Sequence, residues 1–465
     1  MNGYILPHPP LIFEDIGKDT DILKTKDTYN TVKQEIADEK PDVVIVISPH
    51  GRVFYDGFNV NCGKNFLDDL KNFGSKVNVN VGIDTELSKL IIDIARKNNL
   101  IAGWGEKVAH DHGSIIPISL LGLTTIVNIC PAYGLSLVEH YRFGMAIAQA
   151  CQQLNKKYVV IASGDMSHHL AKNENDSSYK FNKYGPVFEN LIQEKISKNN
   201  VVEALTLDGK FIEEIGTCAL KPLAILYGIF DGCKINSSLL SYEAPYGVGY
   251  LCAKFSSTEK CETLFLKLKD AATTTINEIR THEDEFIKLA RNTIEIFVKY
   301  HKKIQLPIDV PDSLREKGGV FVSIHTYDSN ELRGCIGTII PVTECIGQEI
   351  INNAISAASK DNRFMSVIKD ELENLIYNVD VLSEMQLEPN WHKLNPKKYG
   401  VLIRNNYKSG VLLPNLEGVN SIEEAVDIAL KKGRFLPNEL FEVYKFTTER
   451  HEISEHILLK KLKQY

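Results

Sequence analysis

Three stretches of the chain carry histidine where an apolar run gives out. Gly3-Tyr4-Ile5-Leu6 runs into Pro7-His8-Pro9-Pro10, and Val43-Val44-Ile45-Val46-Ile47 runs into Ser48-Pro49-His50-Gly51. Lys157-Tyr158-Val159-Val160-Ile161-Ala162 leads into Gly164-Asp165-Met166-Ser167-His168-His169. Short β-branched runs of this kind read as buried strands, and packing gives no reason to end several of them in histidine. In open α/β sheets, ligands and metals bind at the carboxyl ends of the strands.

A late carboxylate, in Ser241-Tyr242-Glu243-Ala244-Pro245, completes a candidate metal set of His8, His50 and Glu243. Two imidazoles and one carboxylate leave positions open for substrate and O2, the donor pattern of non-haem Fe(II) oxygen chemistry; zinc and other divalent ions accept the same donors. Each residue has a plainer reading. A histidine after a strand commonly caps it or lies at the surface, and Glu243 also reads as a loop carboxylate. His112 and His168 are the candidate catalytic residues, because an imidazole titrating near neutrality can take a proton from a substrate hydroxyl and return one to an oxygen. For His112 the plainer reading is a turn residue in Asp111-His112-Gly113, and for His168 a hydrogen bond to its loop. His110 and His169 are the adjacent alternates. Asp165 is placed to orient His168 or His8, a task common around metal histidines.

Alternating strands and helices must position these groups. Helical spacing occurs over residues 20–39, 84–98 and 136–154, with Asp84 as an N-cap. Strands fall at 3–8, 42–48, 124–130, 158–162 and 251–255, with hairpin and loop material over 52–80. Residues 173–240 read as mostly helical, and Ser256 to Lys260 as the close of the first domain. The order predicts an α/β domain with a largely parallel central sheet flanked by helices over residues 1–258, a linker over 259–280, and an α+β domain over 281–465.

At 465 residues the chain exceeds one ordinary core. A net charge of −7 gives no general attraction to nucleic acid or anionic lipid. No apolar run is long enough to span a bilayer, and no signal peptide is evident, so a cytoplasmic location is expected. The nine cysteines are scattered without a CxxC, which argues for buried thiols in a reducing compartment and against a zinc ribbon or disulfide scaffold.

Taken in order, the PHPP, SPHG, DHGSIIPISLL, GDMSHHL and YEAPYGVGY stretches resemble the class III extradiol dioxygenases, the LigB-type fold that also includes the Memo proteins, over about residues 1–255. The resemblance implies Fe(II) held by His8, His50 and Glu243, with His168 as acid/base and His112 contacting substrate or oxygen. It implies opening of a catechol-type ring, an aromatic diol, next to its two hydroxyls.

In the second domain, Leu332-Arg333-Gly334-Cys335-Ile336-Gly337 has two readings. Arg333 could lower the Cys335 thiol pKa and make a nucleophile; alternatively Cys335 is a small strand residue and Arg333 pairs with a carboxylate. Asp361 and Arg363 are expected to form an ion pair that fixes their loop. GGVFVSIH, ELRGCIGT, AASKDNRF, VDVLSE and GVLLP make residues from about 280 to 460 similar to an AMMECR-type domain, with Asn362 where proline is usual and Tyr399-Gly400 where Asp-Gly is usual. The fusion resembles the AmmeMemoRadiSam system protein A architecture, which implies association with a separate radical-SAM protein. Three functions therefore stand: an Fe(II)-dependent extradiol-type dioxygenase, a non-enzymatic metal-binding partner or scaffold of a radical-SAM-associated modification system, and, more weakly, a metal-assisted hydrolase.

Overall fold

The computed structural model describes residues 1–17, 22–105, 110–170, 181–207, 209–327, 330–416 and 418–453. The described residues form two compact units, the first of residues 1–275 with Tyr327 and Asn330, the second of residues 276–326 and those from Glu331 on.

The first unit runs β1 (Asn2–Leu6), α1 (Leu23–Glu39), β2 (Val43–Ile47), β3 (Phe58–Val60), β4 (Asn65–Asp69), β5 (Asn78–Ile83), α2 (Thr85–Lys97), β6 (Ala102–Gly103), α3 (His112–Leu121) and β7 (Thr125–Cys130). It continues through α4 (Leu137–Gln153), β8 (Tyr158–Ser163), α5 (Gly185–Ser197), α6 (Val201–Ala204), α7 (Gly209–Ile215), α8 (Leu220–Ile229), β9 (Cys233–Glu243), β10 (Tyr250–Lys260) and α9 (Phe265–Arg280), which crosses the division.

Among the described residues the strands of this unit form one sheet in the order β4-β5-β7-β2-β8-β1-β10-β9, with β3 paired to β7 and β6 to β3. The centre, β5 to β1, is parallel, and antiparallel strands close both sides. All of β2 is buried, as a strand covered on both faces requires. Register sets Leu6 beside Ser163 and Ile47 beside Ala162, so β1, β2 and β8 stop level at one edge. Caps start the helices where the sequence suggests: Asp84 accepts from Leu87 N, and Ser136 forms a capping box with Glu139.

Two segments depart from expectation. Residues 233–240 belong to β9, not to a helix. Asn236, Ser237 and Ser238 are poor helix formers, and the run pairs antiparallel with β10. Residues 256–260 continue β10 beyond the strand expected over 251–255, with Lys260 opposite Cys233. Of the stretch expected to be helical, residues 173–180 lie outside the described residues, as do residues 20 and 21 of the first expected helix. The expected connector carries the end of β10 and then α9, whose Leu268, Ile276 and Ile279 are buried.

The second unit is α+β. It runs α10 (Glu285–Tyr300), β11 (Gly319–Thr326), β12 (Leu332–Thr338), α11 (Ile346–Ser359), β13 (Leu375–Leu382), β14 (Gln386–Leu387), β15 (Gly400–Arg404), β16 (Ser409–Leu412), α12 (Ile422–Lys432), β17 (Glu442–Phe446) and β18 (Thr448–His451). Its described strands make two antiparallel sheets, β12-β11-β13-β18 and β14-β17-β15-β16. Alternation in β11 turns Val320, Val322 and Ile324 onto α10 and α11.

Candidate metal centre

The level strand ends deliver three loops to one edge. His8 leaves β1, its backbone N–H donating to Asp165 Oδ1 at 2.8 Å. Gly164 N–H donates back to Leu6 O, so the β1 and β8 loops are tied together. His50 leaves β2 in a turn where its N–H donates to Ser48 Oγ, and Ser48 Oγ donates to the buried Asp111 carboxylate at 2.5 Å. Asp111 also caps α3 through Ser114 N, which fixes His112 at the first position of that helix. Gly113 is required beside it, since a Cβ there would lie 2.4 Å from Ser48 Oγ.

His8 and His50 meet directly, Nε2 to Nε2, at 2.9 Å. His8 Nδ1 lies 2.9 Å from Ser163 Oγ. With Nδ1–H donating to Ser163, the Nε2 lone pair of His8 faces His50, the tautomer a metal bound at Nε2 requires. His112 stacks on His50 with ring centroids 4.2 Å apart and lies 5.2 Å from His8. Burial, reinforced by the neighbouring imidazoles, holds His8 well below the ordinary histidine range and His50 down to about 2. Burial also lowers His112 and His168, with Asp165 opposing it in both. The cluster is therefore neutral at pH 7. Asp165 Oδ2 stands 3.9 Å from His8 Nε2 and 4.0 Å from His168 Nε2, too long for hydrogen bonds and, with neutral rings, not ion pairs.

The third candidate donor is Cys218. Its Sγ lies 3.6 Å from His8 Nε2, and together with His8 and His50 it forms the one group among the described residues whose donor atoms could hold a metal, all within 4.8 Å of one another. Cys218 sits just before α8, in a turn bound to Asp165: Thr217 Oγ1 and Cys218 N both donate to Asp165 O, and Asp165 N donates to Cys218 Sγ at 3.1 Å. Gly164 makes this approach feasible, because a Cβ there would come within 2.4 Å of Ala219 Cα. Burial pushes the Cys218 thiol up, with Asp165 adding to it.

Glu243 is placed elsewhere. At the end of β9 its Oε1 accepts from Thr25 N at 2.7 Å and Thr25 Oγ1 at 2.6 Å, in the first turn of α1. A carboxylate there answers helix N–H groups that would otherwise lack partners. The alternates turn away as well: His110 Nδ1 faces Asp69, and His169 Nδ1 faces Glu214 O at 2.5 Å. The sequence marks Cys218 weakly, since it follows no strand; Gly216-Thr217-Cys218, a thiol in a turn outside any apolar run, is the available signal.

Residues 2–253 match the family described as the catalytic LigB subunit of aromatic ring-opening dioxygenase, and residues 287–453 match AMMECR1. The chain belongs to the LigB family, with an AMMECR1 domain joined to its carboxyl side. A protein of Clostridium acetobutylicum is 34% identical across 98% of this chain and 100% of its own length. A Thermotoga maritima protein, 41% identical, covers 37% of this chain and 98% of its own. The crystal structure of an uncharacterized protein from Pyrococcus horikoshii shares 34% identity over 36% of this chain and 88% of its own, with a TM-score of 0.33.

The donor set fits a metal. Two neutral imidazoles present facing Nε2 atoms, and a thiol adjoins them that can release its proton on binding. Imidazole with thiolate suits iron, zinc and copper.

In the second unit Arg333 pairs in bidentate fashion with Glu371, at 2.6 and 3.1 Å, rather than activating the thiol. Burial raises the Cys335 thiol, whose Sγ accepts from Ser323 Oγ. Asp361 pairs with Arg363 at 2.7 Å and accepts from Cys335 N at 2.9 Å, holding the loop after α11 against β12.

Proposed function

We propose that the first unit is a metal-dependent oxidoreductase of the ring-opening dioxygenase type, acting on a small aromatic diol. One observation carries the reading: the facing Nε2 atoms of His8 and His50, with Cys218 Sγ in the same cluster and the imidazole of His112 stacked alongside. Fe(II) held by these donors would bring the diol and O2 together and relay electrons from the diol, which is itself oxidised, to O2. The protein's own groups supply the rest. His112 and His168, held neutral by burial, accept a substrate hydroxyl proton and return it. Asp165 fixes the backbone of His8 and the Cys218 turn together, so the donors keep one spacing.

Purification without oxygen followed by metal analysis and O2 uptake over a panel of diols tests this. The wild type is expected to retain iron and consume O2 with a catechol, and His50→Ala to lose both. Iron retained without uptake on any diol overturns it.

A second reading has its own support. The thiol of Cys218 stands in the donor group while Glu243 serves α1, and a softer set suits metal holding as well as oxygen chemistry. The unit is then a metal-binding partner of a radical-SAM modification system, and tight metal binding, no O2 uptake and co-purification with such a protein would favour it.

A further inference from the structure

Phe73 is the last residue of a short turn, Lys71–Phe73, between β4 and β5. None of that turn is buried, and Phe73 keeps 40% of its surface exposed. A large aromatic this open leaves much of its apolar ring facing water. Its ring nevertheless lies 5.2 Å from His112, tilted by 59°, and His112 stacks on His50.

The turn is held to the site by polar bonds. The Asp68 carboxylate accepts from His110 N at 2.9 Å and from Asp111 N at 3.2 Å. His110 Nδ1 lies 3.2 Å from Asp69 Oδ1, and His110 holds φ at 68°, a left-handed backbone that few side chains adopt. Asp111 then bonds Ser48, two residues from His50. A bonded path thus leads from the β4–β5 turn to the metal-facing imidazoles. The local cation, Lys71, is spent on Asp69. What Phe73 and His112 offer together is a pair of aromatic rings inclined to one another beside His50.

We infer that Phe73 is a specificity-determining residue that meets the planar ring of the substrate at the mouth of the histidine cluster. The inference rests on the ring-opening reading above and names the residue that selects a flat ring over an aliphatic diol. Ring stacking of this kind carries about tenfold in affinity.

The test titrates catechol and trans-1,2-cyclohexanediol, which offers vicinal hydroxyls without a planar ring, into the Fe(II)-loaded full chain under anaerobic calorimetry. Wild type is expected to prefer catechol. Phe73→Ala and Phe73→Leu lose about tenfold in catechol affinity while iron content and cyclohexanediol binding stay the same, and Phe73→Trp retains the preference. Equal catechol binding by Phe73→Ala and wild type overturns the inference, as does a wild type that binds the two diols alike or binds no catechol. O2 uptake separates the two proposals. Phe73-dependent catechol binding without uptake sinks the dioxygenase reading and leaves this one standing. Uptake by Phe73→Ala at wild-type kcat/KM does the reverse.

Discussion

At residue scale the site turns on which acidic side chain stands beside two imidazoles. Glu243 is the last residue of its strand, whereas His8 and His50 follow theirs; β9 lies at the far side of β10 from β1, and the Glu243 carboxylate serves the first turn of α1. Cys218 comes from a turn between helices and lies against His8 because Asp165 binds that turn with its backbone and His8 with its side chain. Two variants separate these roles. Cys218→Ser is expected to weaken metal affinity by at least the roughly 10–100-fold typical of disturbed metal shells. Glu243→Gln leaves metal content unchanged and lowers unfolding stability by about 0.5–2 kcal/mol through the weakened α1 contact. Metal titration and urea unfolding on both proteins check this; a Glu243→Gln protein that loses its metal would return the carboxylate to the donor set.

At the scale of elements, the second unit shows how one loop is fixed. Asp361 receives Arg363, Arg363 N and Cys335 N, and these bonds, the Arg363 side chain first, hold its carboxyl down to about 2. A free aspartate titrates near ~3.9. A carboxylate depressed in the folded state contributes stability that is complete above the unfolded value and lost as protons are taken up. The loop's contribution is therefore full above about pH 4 and fades toward pH 2. Asp361→Asn is expected to cost about 1–2 kcal/mol at pH 7, discounted for the exposed guanidinium, and to flatten that acid limb in unfolding curves taken across pH. This loop also shows what a sequence discloses. The Asp361–Arg363 pair is two residues apart and legible locally. The parallel strands, the cap at Asp84 and the strand-end histidines are legible too, because each follows from periodicity or a cap within one element. What was hidden depends on distant pairing. Residues 233–240 take strand form from β10, Glu243 is claimed by Thr25, and Cys218 reaches His8 across 210 positions. The hairpin tip that sets Phe73 on His112 is likewise fixed by Asp68 and Asp69, with no mark of it in the local pattern.

At the scale of the whole molecule, each unit carries its own core. Tyr4, Val44, Val46, Val159 and Ile161 belong to one cluster of the first unit, and Val320, Val322, Ile350 and Tyr377 to one of the second. The candidate donors all lie in the first unit. Among the described residues no helix is long and apolar enough to cross a membrane. A metal that binds the folded first unit and not the unfolded chain stabilises that unit by mass action, by about 2.7 kcal/mol at a hundredfold excess over Kd. Scanning calorimetry of the full chain is expected to resolve this as a selective effect: metal raises the transition of the first unit and leaves that of the AMMECR1 unit in place. His50→Ala abolishes the shift and keeps the second transition. If metal instead raises both transitions together in the wild type, the second unit contributes to the bound state, and the donor set drawn from His8, His50 and Cys218 is incomplete.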